Sequence, residues 1–320
     1  MKELSKETVT WLTIGDQAAG QRIDNFLLRE LKGVPKSHIY RILRSGEVRV
    51  NSRRVEATHR LAAGDRVRLP PLRRPRPAAA QRTGRFAGRV LYEDEALLVV
   101  DKPAGIAVHG GSGVSYGLIE QLRQARPELR FLELVHRLDK ETSGVLLLAK
   151  KRSALTRLHA MLREGRVEKH YLALVKGHWP HARQHVKLAL HKFLTETGER
   201  RVRVSEEGQP AHTFFTLLRR WQDFSLVDAE LKTGRTHQIR VHLAHLGHPI
   251  AGDDKYGNFA LNKELARRGL RRMFLHAKSL AFAHPLTQDG MVFEAPLPVE
   301  LQRFLAMLEG THPQNRGADA

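Results

Sequence analysis

The sequence predicts an α+β protein in which a small unit of two helices and short strands precedes a larger unit, built on a mixed, largely antiparallel sheet with flanking helices. Two helical and two strand patterns fall within residues 20–69, and a proline- and arginine-rich segment follows at 70–88. Over residues 89–309, strand patterns outnumber helical patterns. Several of these strands are joined by turns instead of helices, which disfavours a doubly wound parallel sheet.

Composition narrows the classes of protein before any motif is considered. The 320 residues include 54 Lys and Arg against 34 Asp and Glu, a formal net charge of +20, and no Cys. The lack of Cys excludes disulfide frameworks, thiolate zinc sites and Cys nucleophiles, and we expect a reducing cytoplasm as the location. The cationic excess indicates a polyanionic partner, although a merely soluble basic protein has the same composition. Neither an export signal nor a membrane span is expected, because long apolar runs are missing.

The small unit at 20–69 follows an N-terminal segment at 1–19. The apolar positions of its first helix share one face, and they are Ile23, Phe26, Leu27 and Leu31. Asp24 and Arg29 fall outside that face and are expected to point toward solvent. Ser37 is the expected N-cap of a second helix, and Gly46 is expected to end it in a left-handed conformation. Two short strands are predicted to follow, around Val48 and Val50 and around Val67 and Leu69, the first ending at a turn at Asn51.

Six basic side chains make the small unit a candidate nucleic-acid surface. They are Lys36, Arg41, Arg44, Arg49, Arg53 and Arg54, and Glu47 is the one acid between them. The run QRIDNFLLRELKGVPKSHIYRILRSGEVRVN, followed by GDRVRL, resembles the S4 RNA-binding domain. This resemblance implies that the unit binds RNA, mostly through its shape and its phosphates.

Two further segments carry little apolar surface. The segment PPLRRPRPAAAQRTGRFAG at 70–88 is predicted to be a linker, and its arginines indicate either contact with a polyanion or a passive spacer. The tail GTHPQNRGADA at 310–320 is expected to be disordered.

The larger unit at 89–309 contains six strand patterns and two helical ones. The predicted strands are Val90–Tyr92, Leu97–Val100, Val145–Ala149, Tyr171–Val175, Phe214–Leu218 and Leu226–Leu231. The predicted helices cover Ser115–Arg126 and Ser153–Glu164, and each is expected to begin at its serine as a cap.

An aspartate stands out in the run LVHRLDKETSGV. Asp139 lies in a loop that leads into an apolar strand, where burial and neighbouring charges control the ionisation of a carboxyl group. The alternative is structural, because a short Asp side chain can cap a turn through the backbone N–H groups of Thr142 and Ser143. The run on its own leaves both interpretations open.

Two other polar segments lie in apolar surroundings. Tyr171, in KHYLALV, shares a strand face with Ala173 and Val175, and a lone Tyr on a strand is usually a core residue. The run LKTGRTHQIRVH predicts a helix extending to Leu246, with Thr236 as its cap. His237 and Arg240 are then expected to present donors from the first turn of that helix.

Two other signals are weaker. The histidines at 237, 242, 245 and 248 have no carboxylate among them and lie beside arginines, so a metal site is not expected. The glycine turns KPAG and HGGSG lack a following Lys-Ser or Lys-Thr pair, so a nucleotide cofactor is not expected either.

Taken together, HRLDKETSG, KHYLALV, GRTHQIRVH and GHPIAGDDKYG resemble the RluA-type pseudouridine synthases over roughly 90–300. The resemblance implies an isomerase that cleaves the N1–C1′ bond of uridine and re-attaches the base through C5, without a cofactor. It also implies 23S rRNA or a large-subunit assembly intermediate as partner, and a monomeric enzyme. It maps the catalytic aspartate onto Asp139, the active-site tyrosine onto Tyr171 and the basic partner of the aspartate onto Arg240.

The same resemblance implies a set of substrate contacts. They are Arg137, His136, Leu138, Ile239 and Thr236. Arg137 is the candidate to replace a base that is flipped out of a helix, and the alternative is a salt bridge to Glu133 or Glu141. His136 is expected to order the loop. Two other functional classes remain, an rRNA-binding assembly chaperone and a glycosidase, and the latter needs a second carboxylate across the pocket.

Overall fold

The computed structural model describes residues 9–31, 34–72, 86, 88–110 and 116–310. The chain divides into two compact units, Met1–Thr83 and Gly84–Ala320. Most of the expected linker and all but the first residue of the expected disordered tail lie outside the described residues. Among the helices described, none is long and apolar enough to cross a membrane.

The first unit packs two helices against a four-stranded antiparallel sheet. The helices are α1 (Ile23–Glu30) and α2 (Lys36–Arg44), and a short 3-10 helix covers Asp16–Ala18. The strands are β1 (Thr10–Thr13), β2 (Arg49–Val50), β3 (Arg53–Arg54) and β4 (Arg66–Leu69). Their order in the sheet is β1-β4-β2-β3, and the apolar faces of both helices join the strands in one core.

Most local predictions for this unit are confirmed. The four apolar positions of the first helix are buried, and the helix-ending Gly46 has a φ of 72°. The two predicted short strands correspond to β2 and β4. The turn between β2 and β3 is formed by Asn51 and Ser52, both left-handed, as a tight hairpin of right-handed twist requires.

Two predictions for this unit are wrong. Asp24 is buried instead of exposed, because its carboxylate accepts hydrogen bonds from Arg22 at 2.7 Å and from the Tyr40 hydroxyl at 3.0 Å. These two partners replace the water that the carboxylate loses. Ser37 is not the N-cap of α2, because Pro35 holds that position in an extended conformation and Ser37 lies inside the helix.

The second unit is built on a ten-stranded sheet. Its strands are β5 (Arg89–Glu93), β6 (Leu97–Lys102), β7 (Glu133–Leu134), β8 (Ser143–Ala149), β9 (Glu168–Lys176), β10 (Arg183–Lys187), β13 (His212–Arg220), β14 (Phe224–Leu231), β15 (Leu275–Ala283) and β16 (Gly290–Glu294). A separate hairpin is formed by β11 (Leu190–Leu194) and β12 (Arg200–Val204). The main path is β10-β13-β14-β9-β15-β8-β6-β5, with β16 beside β15 and β7 beside β8. One pair, β15 with β8, is parallel and the others are antiparallel, which confirms the predicted mixed, largely antiparallel sheet.

In the described part of this unit, five helices cover the two faces of the sheet. They are α3 (Leu118–Ala125), α4 (Arg152–Arg163), α5 (Gln238–His245), α6 (Phe259–Arg267) and α7 (Val299–Gly310). Successive residues of β6 alternate between two cores, with Leu98 in one and Val99 in the other. The face of Val99 is covered by α4, and the face of Leu98 is covered by the other four helices.

All six predicted strands lie within observed strands, and both predicted helices are present, but Ser153 is not the cap of the second one. Ser153 lies inside α4, because Lys151 is the last extended residue before that helix. The residue before α3 is Gly117, whose N–H donates to the Glu120 carboxylate at 2.9 Å. Ser115 itself lies outside the described residues.

Gly144 fixes the start of β8 against β15. Its φ is 110°, and a Cβ placed there would lie 2.1 Å from the carbonyl oxygen of Ala277. A side chain is therefore excluded at this crossing. Because Asp139 lies on the loop that leads into β8, this close approach determines where that loop meets the sheet.

Candidate active site

One cavity of about 430 Å³ is lined by every residue predicted for catalysis or substrate contact. Those lining residues are His136, Arg137, Leu138, Asp139, Tyr171, Thr236, Ile239 and Arg240. The loop before β8, the strand β9 and the start of α5 supply them. Leu138 and Ile239 are buried and form part of the apolar wall.

Asp139 is half-buried, and its side chain faces Arg240. Nη1 of Arg240 donates to Oδ2 of Asp139 at 3.1 Å. The N–H of Thr142 donates to the main-chain carbonyl of Asp139 at 3.2 Å, so the turn is closed through the backbone. The carboxylate is thus directed at the guanidinium and not at the turn, which favours the chemical interpretation over the capping one.

Arg240 is itself held by a second aspartate. Nε and Nη2 donate to the two carboxylate oxygens of Asp253, at 2.8 and 2.7 Å, and both side chains are buried. Burial opposes the charged guanidinium, but the hydrogen bond and charge of Asp253, followed by those of Asp139, outweigh it and raise the pKa of Arg240. A fixed positive charge therefore lies beside Asp139.

Tyr171 lies on β9 with its ring in the main core and 7% of its surface exposed. Tyr171, Ala173 and Val175 are all buried, and residues two apart on β9 point to the same side of the sheet, which confirms the predicted shared face. Burial, followed by the charge of Asp139, raises the pKa of the Tyr171 hydroxyl. The hydroxyl is therefore protonated at neutral pH.

The residue that precedes α5 is His237, and Thr236 does not cap the helix as expected. His237 has a φ of 54°, a left-handed conformation that is uncommon for a residue with a side chain. Its Nδ1 lies 2.8 Å from the Tyr256 hydroxyl, and that hydroxyl also accepts the N–H of Val202. Burial lowers the pKa of His237, so the ring is neutral at neutral pH, and its Nε2 lies 3.9 Å from Oδ2 of Asp139.

Arg137 is exposed at the cavity, and neither suggested salt bridge is present among the described ion pairs. Glu133 pairs with Arg123 at 3.0 Å, and Glu141 lies 3.9 Å from Lys140. The guanidinium of Arg137 is therefore available to a ligand.

His136, the residue before Arg137, accepts a hydrogen bond from the N–H of Leu147 at Nε2, at 3.1 Å. Burial, followed by the charge of Lys169, lowers the pKa of His136 to about 4. A neutral ring bound to β8 supports an ordering role and not proton transfer.

The charges around the cavity are unequal. Asp139 is the one carboxylate among the described residues that line it, while the lining cations are Arg137, Arg163, Lys169, Lys232, Arg235 and Arg240. Burial, followed by the charge of Lys232, lowers the pKa of Lys169. In the described part of the chain, no group of three or more His, Asp or Glu side chains has the geometry to hold a metal ion.

The sequence did not predict three residues that hold this site together. They are Asp253, Lys102 and His237, the last as the neighbour of Asp139. Lys102 is completely buried, and its Nζ donates to the carbonyls of Pro103, Ile106 and Lys140, the last of which directly follows Asp139. Burial, followed by the charge of Arg272, lowers the pKa of Lys102 to about 7. Lys102 lies in the run KPAG and Asp253 in the run GDDKYG, but neither run shows which residue these side chains contact.

The six predicted RNA-binding side chains lie on the first unit, and all are exposed. Three lie on α2 and three on the β2–β3 hairpin. Arg41 pairs with Glu47 at 3.3 Å, and Nζ of Lys36 lies 5.7 Å from the centre of the Tyr40 ring.

The chain matches the model of the RNA pseudouridylate synthase family over residues 96–245 and that of the S4 domain over residues 21–67. The solved structure of human RNA pseudouridylate synthase domain containing 4 covers 69% of this chain and 93% of its own, with 27% identity and a TM-score of 0.56. The solved structure of human RNA pseudouridylate synthase domain containing 1 covers 71% of this chain and 96% of its own, with 28% identity and a TM-score of 0.55. The chain belongs to the RNA pseudouridylate synthase family, a family of isomerases, and carries an S4 domain.

Curated relatives extend the similarity over nearly the whole chain. The ribosomal large subunit pseudouridine synthase C of Pasteurella multocida (strain Pm70) is 51% identical over 320 residues, covering 98% of each chain. The protein of that name from Escherichia coli (strain K12) is 53% identical over 309 residues, covering 94% of this chain and 97% of the relative. Both resemblances inferred from the motifs are therefore confirmed.

Proposed function

We propose that this enzyme forms pseudouridine in 23S rRNA of the large ribosomal subunit, either as free RNA or in an assembly intermediate. The curated relatives are named as pseudouridine synthases of the ribosomal large subunit, and their similarity spans both units. The observation that carries the proposal is the Asp139 carboxylate, which is held by Arg240 in a cavity whose other charged lining residues are cations. A cytoplasmic location is part of the same proposal, because the substrate is ribosomal.

In the proposed reaction, ionised Asp139 acts as the nucleophile, at C1′ or at C6, or assists departure of the base by a glycal route. The N1–C1′ bond breaks, the base rotates, and a C5–C1′ bond forms. C5 then loses its proton and N1 gains one, so the atoms balance without a cofactor. Arg240 stays a cation beside the Asp139 carboxylate throughout, because a guanidinium cannot be deprotonated near neutral pH.

Tyr171 is proposed to stack on the uracil and to position the group that removes the C5 proton. The flat ring supports stacking, and the raised pKa of its hydroxyl favours positioning by a phenol over direct removal by a phenolate. Nε2 of His237, 3.9 Å from Oδ2 of Asp139, is a further polar group beside the nucleophile.

A uridine within folded RNA must leave its helix to enter this cavity. Arg137 is proposed to fill the space that the base leaves, and its exposed guanidinium at the cavity supports this role. The exposed cations of the S4 domain are proposed to hold the RNA backbone, because phosphates dominate the affinity of such surfaces.

The decisive experiment compares the wild-type enzyme with the Asp139→Asn variant. Asn keeps the size of the side chain and an oxygen for the hydrogen bond from Arg240, but it lacks the charge and the nucleophile. Each protein is incubated with protein-free 23S rRNA without metal or nucleotide, and pseudouridine is mapped by carbodiimide modification and primer extension. We expect the variant to lose at least about a thousand-fold in rate and to keep its affinity for RNA.

Each of the other outcomes contradicts part of the proposal. Wild-type activity in Asp139→Asn would exclude Asp139 as the nucleophile. Release of free uracil would indicate a glycosidase, although the cavity offers one carboxylate among its described residues. Binding without any product, on free RNA and on isolated large-subunit precursors alike, would favour the chaperone.

A further inference from the structure

The outer face of the S4-domain sheet carries a row of side chains that crosses all four strands. Trp11 on β1 lies directly opposite Arg68 on β4, Arg68 lies opposite Arg49 on β2, and Arg49 lies opposite Arg54 on β3. Directly opposite residues point to the same face of a sheet. The other face is packed against the two helices, so this row faces away from the core.

Trp11 presents a large aromatic ring on this face. It has 43% of its surface exposed, and the guanidinium of Arg66 lies 5.0 Å from its ring centre. Arg66 holds the indole through a cation–π contact and adds a fourth guanidinium to the face. Trp11 also precedes the segment that matches the S4 model, which begins at residue 21, so β1 adds this ring to the matched domain.

Hydrogen bonds within the domain use only some of the N–H groups that the arginines of this row carry. Arg68 donates to the carbonyl of Glu47, Arg49 to that of Gly46, and Arg54 to that of Arg44, all at the end of α2. Among contacts between described residues, each guanidinium uses one N–H group in this way, whereas it carries five. Like charges placed directly opposite one another also destabilise a sheet. A polyanion on this face removes that repulsion.

We propose that this face, defined by Trp11, Arg49, Arg54, Arg66 and Arg68, is a binding site for single-stranded RNA. A nucleobase stacks on the exposed indole, and the phosphates that follow it cross the strands along the guanidiniums. Surfaces that combine an aromatic platform with a cationic track bind single strands in this way, with little preference for sequence. The inference rests on the proposed function, because it assigns this part of the rRNA contact to the outer sheet face.

The test uses the full-length enzyme and an oligoadenylate RNA of about 12 nucleotides, within the usual range of such sites. Because the probe contains no uracil, it offers the catalytic cavity no substrate. Binding is measured by fluorescence anisotropy for the wild type, Trp11→Ala and Trp11→Phe. We expect Trp11→Ala to weaken binding by about 5-fold to 160-fold, and Trp11→Phe to retain most of the affinity, since a stacked base is worth about 1–3 kcal/mol.

Two controls separate stacking from charge and from misfolding. Phe259→Ala removes an exposed ring from α6 in the other unit and is expected to leave binding unchanged. A probe of equal length without bases should bind equally well to the wild type and Trp11→Ala. Arg66→Gln and Arg68→Gln should each reduce the slope of log affinity against log salt by about 0.7.

Unchanged binding by Trp11→Ala would overturn the inference. The same result would leave the proposed function intact wherever the wild-type enzyme forms pseudouridine in 23S rRNA. Conversely, failure of the wild type to form pseudouridine would overturn the proposed function, while the anisotropy measurement would still decide the binding site.

Discussion

Arg240 donates two hydrogen bonds to the carboxylate of Asp253, from Nε at 2.8 Å and from Nη2 at 2.7 Å. This bidentate contact fixes the plane of the guanidinium and leaves Nη1 directed at Asp139. Asp253 in turn accepts the N–H groups of Lys255 and Tyr256, so its own carboxylate is held by the backbone. The position of the charge beside Asp139 is therefore set by an aspartate that does not line the cavity.

The first prediction concerns Asp253 as a positioning residue. Asp253→Asn keeps an oxygen for the two backbone N–H groups but loses the charge and one acceptor for Arg240. We expect kcat to fall about 100-fold, because small misplacement of a catalytic partner costs about that much, while KM changes little. Rates are measured on 23S rRNA under single-turnover and steady-state conditions.

Asp254→Asn is the matched control. Its carboxylate lies 3.4 Å from the same Nη2, but the side chain is 70% exposed, so its removal should change kcat less than about 2-fold. Equal rates for wild type and Asp253→Asn, or equal losses for both variants, would contradict a positioning role.

The central residues of the site could be predicted from the sequence because they lie in dense local motifs. Asp139, Tyr171 and Arg240 come from three separate runs, and the cavity contains all three. The sheet class was also predictable, since strand patterns and turns are local properties of the chain. What the motifs could not give is which side chains meet across the fold.

The errors share one physical cause, which is that partners distant in sequence change a local preference. Asp24 looked exposed by helical periodicity, yet Tyr40, 16 positions away, gives it a buried partner. Thr236 looked like a cap, yet the contact of His237 with Tyr256 holds His237 in the position before the helix. Lys102 looked like part of a turn, yet its third acceptor is the carbonyl of Lys140, 38 positions away.

The second prediction follows from that buried lysine. Lys102→Met fills the same space with an apolar chain and leaves three carbonyls without their donor. We expect a loss of about 3 kcal/mol in the free energy of unfolding, since each unpaired buried acceptor costs about 1–3 kcal/mol and part of the cost is relieved by relaxation. Urea unfolding measures it. Lys151→Met, which breaks an exposed ion pair with Glu95, should leave the unfolding midpoint unchanged and serves as the control.

The third prediction is a pH dependence of stability that arises from His170. Its Nδ1 lies 2.7 Å from Oδ1 of Asp228, and this hydrogen bond raises the pKa of His170. A raised pKa in the folded state stabilises the protein fully below pH 6.5, the value for an unfolded His, and the contribution is lost as the pH rises through the folded-state pKa. The pair is partly exposed, so we expect about 0.5–1 kcal/mol.

The measurement for His170 compares the melting temperatures of wild type and His170→Gln at pH 6 and at pH 9. The difference should be larger at pH 6, and Asp228→Asn should remove the same dependence. A difference that is constant across this range would show that the two side chains make no ionic contribution.

The last prediction separates the ring of Tyr171 from its hydroxyl. No hydrogen bond between described residues involves that hydroxyl, so Tyr171→Phe should fold with wild-type stability. The remaining ring still stacks on uracil, and we expect RNA affinity within about 2-fold of wild type while the rate of pseudouridine formation falls at least about 10-fold, the value of one hydrogen bond. Tyr171→Leu, which loses both features, should lose affinity as well. A wild-type rate in Tyr171→Phe would reduce the hydroxyl to a packing group and leave the C5 proton to another residue of the cavity.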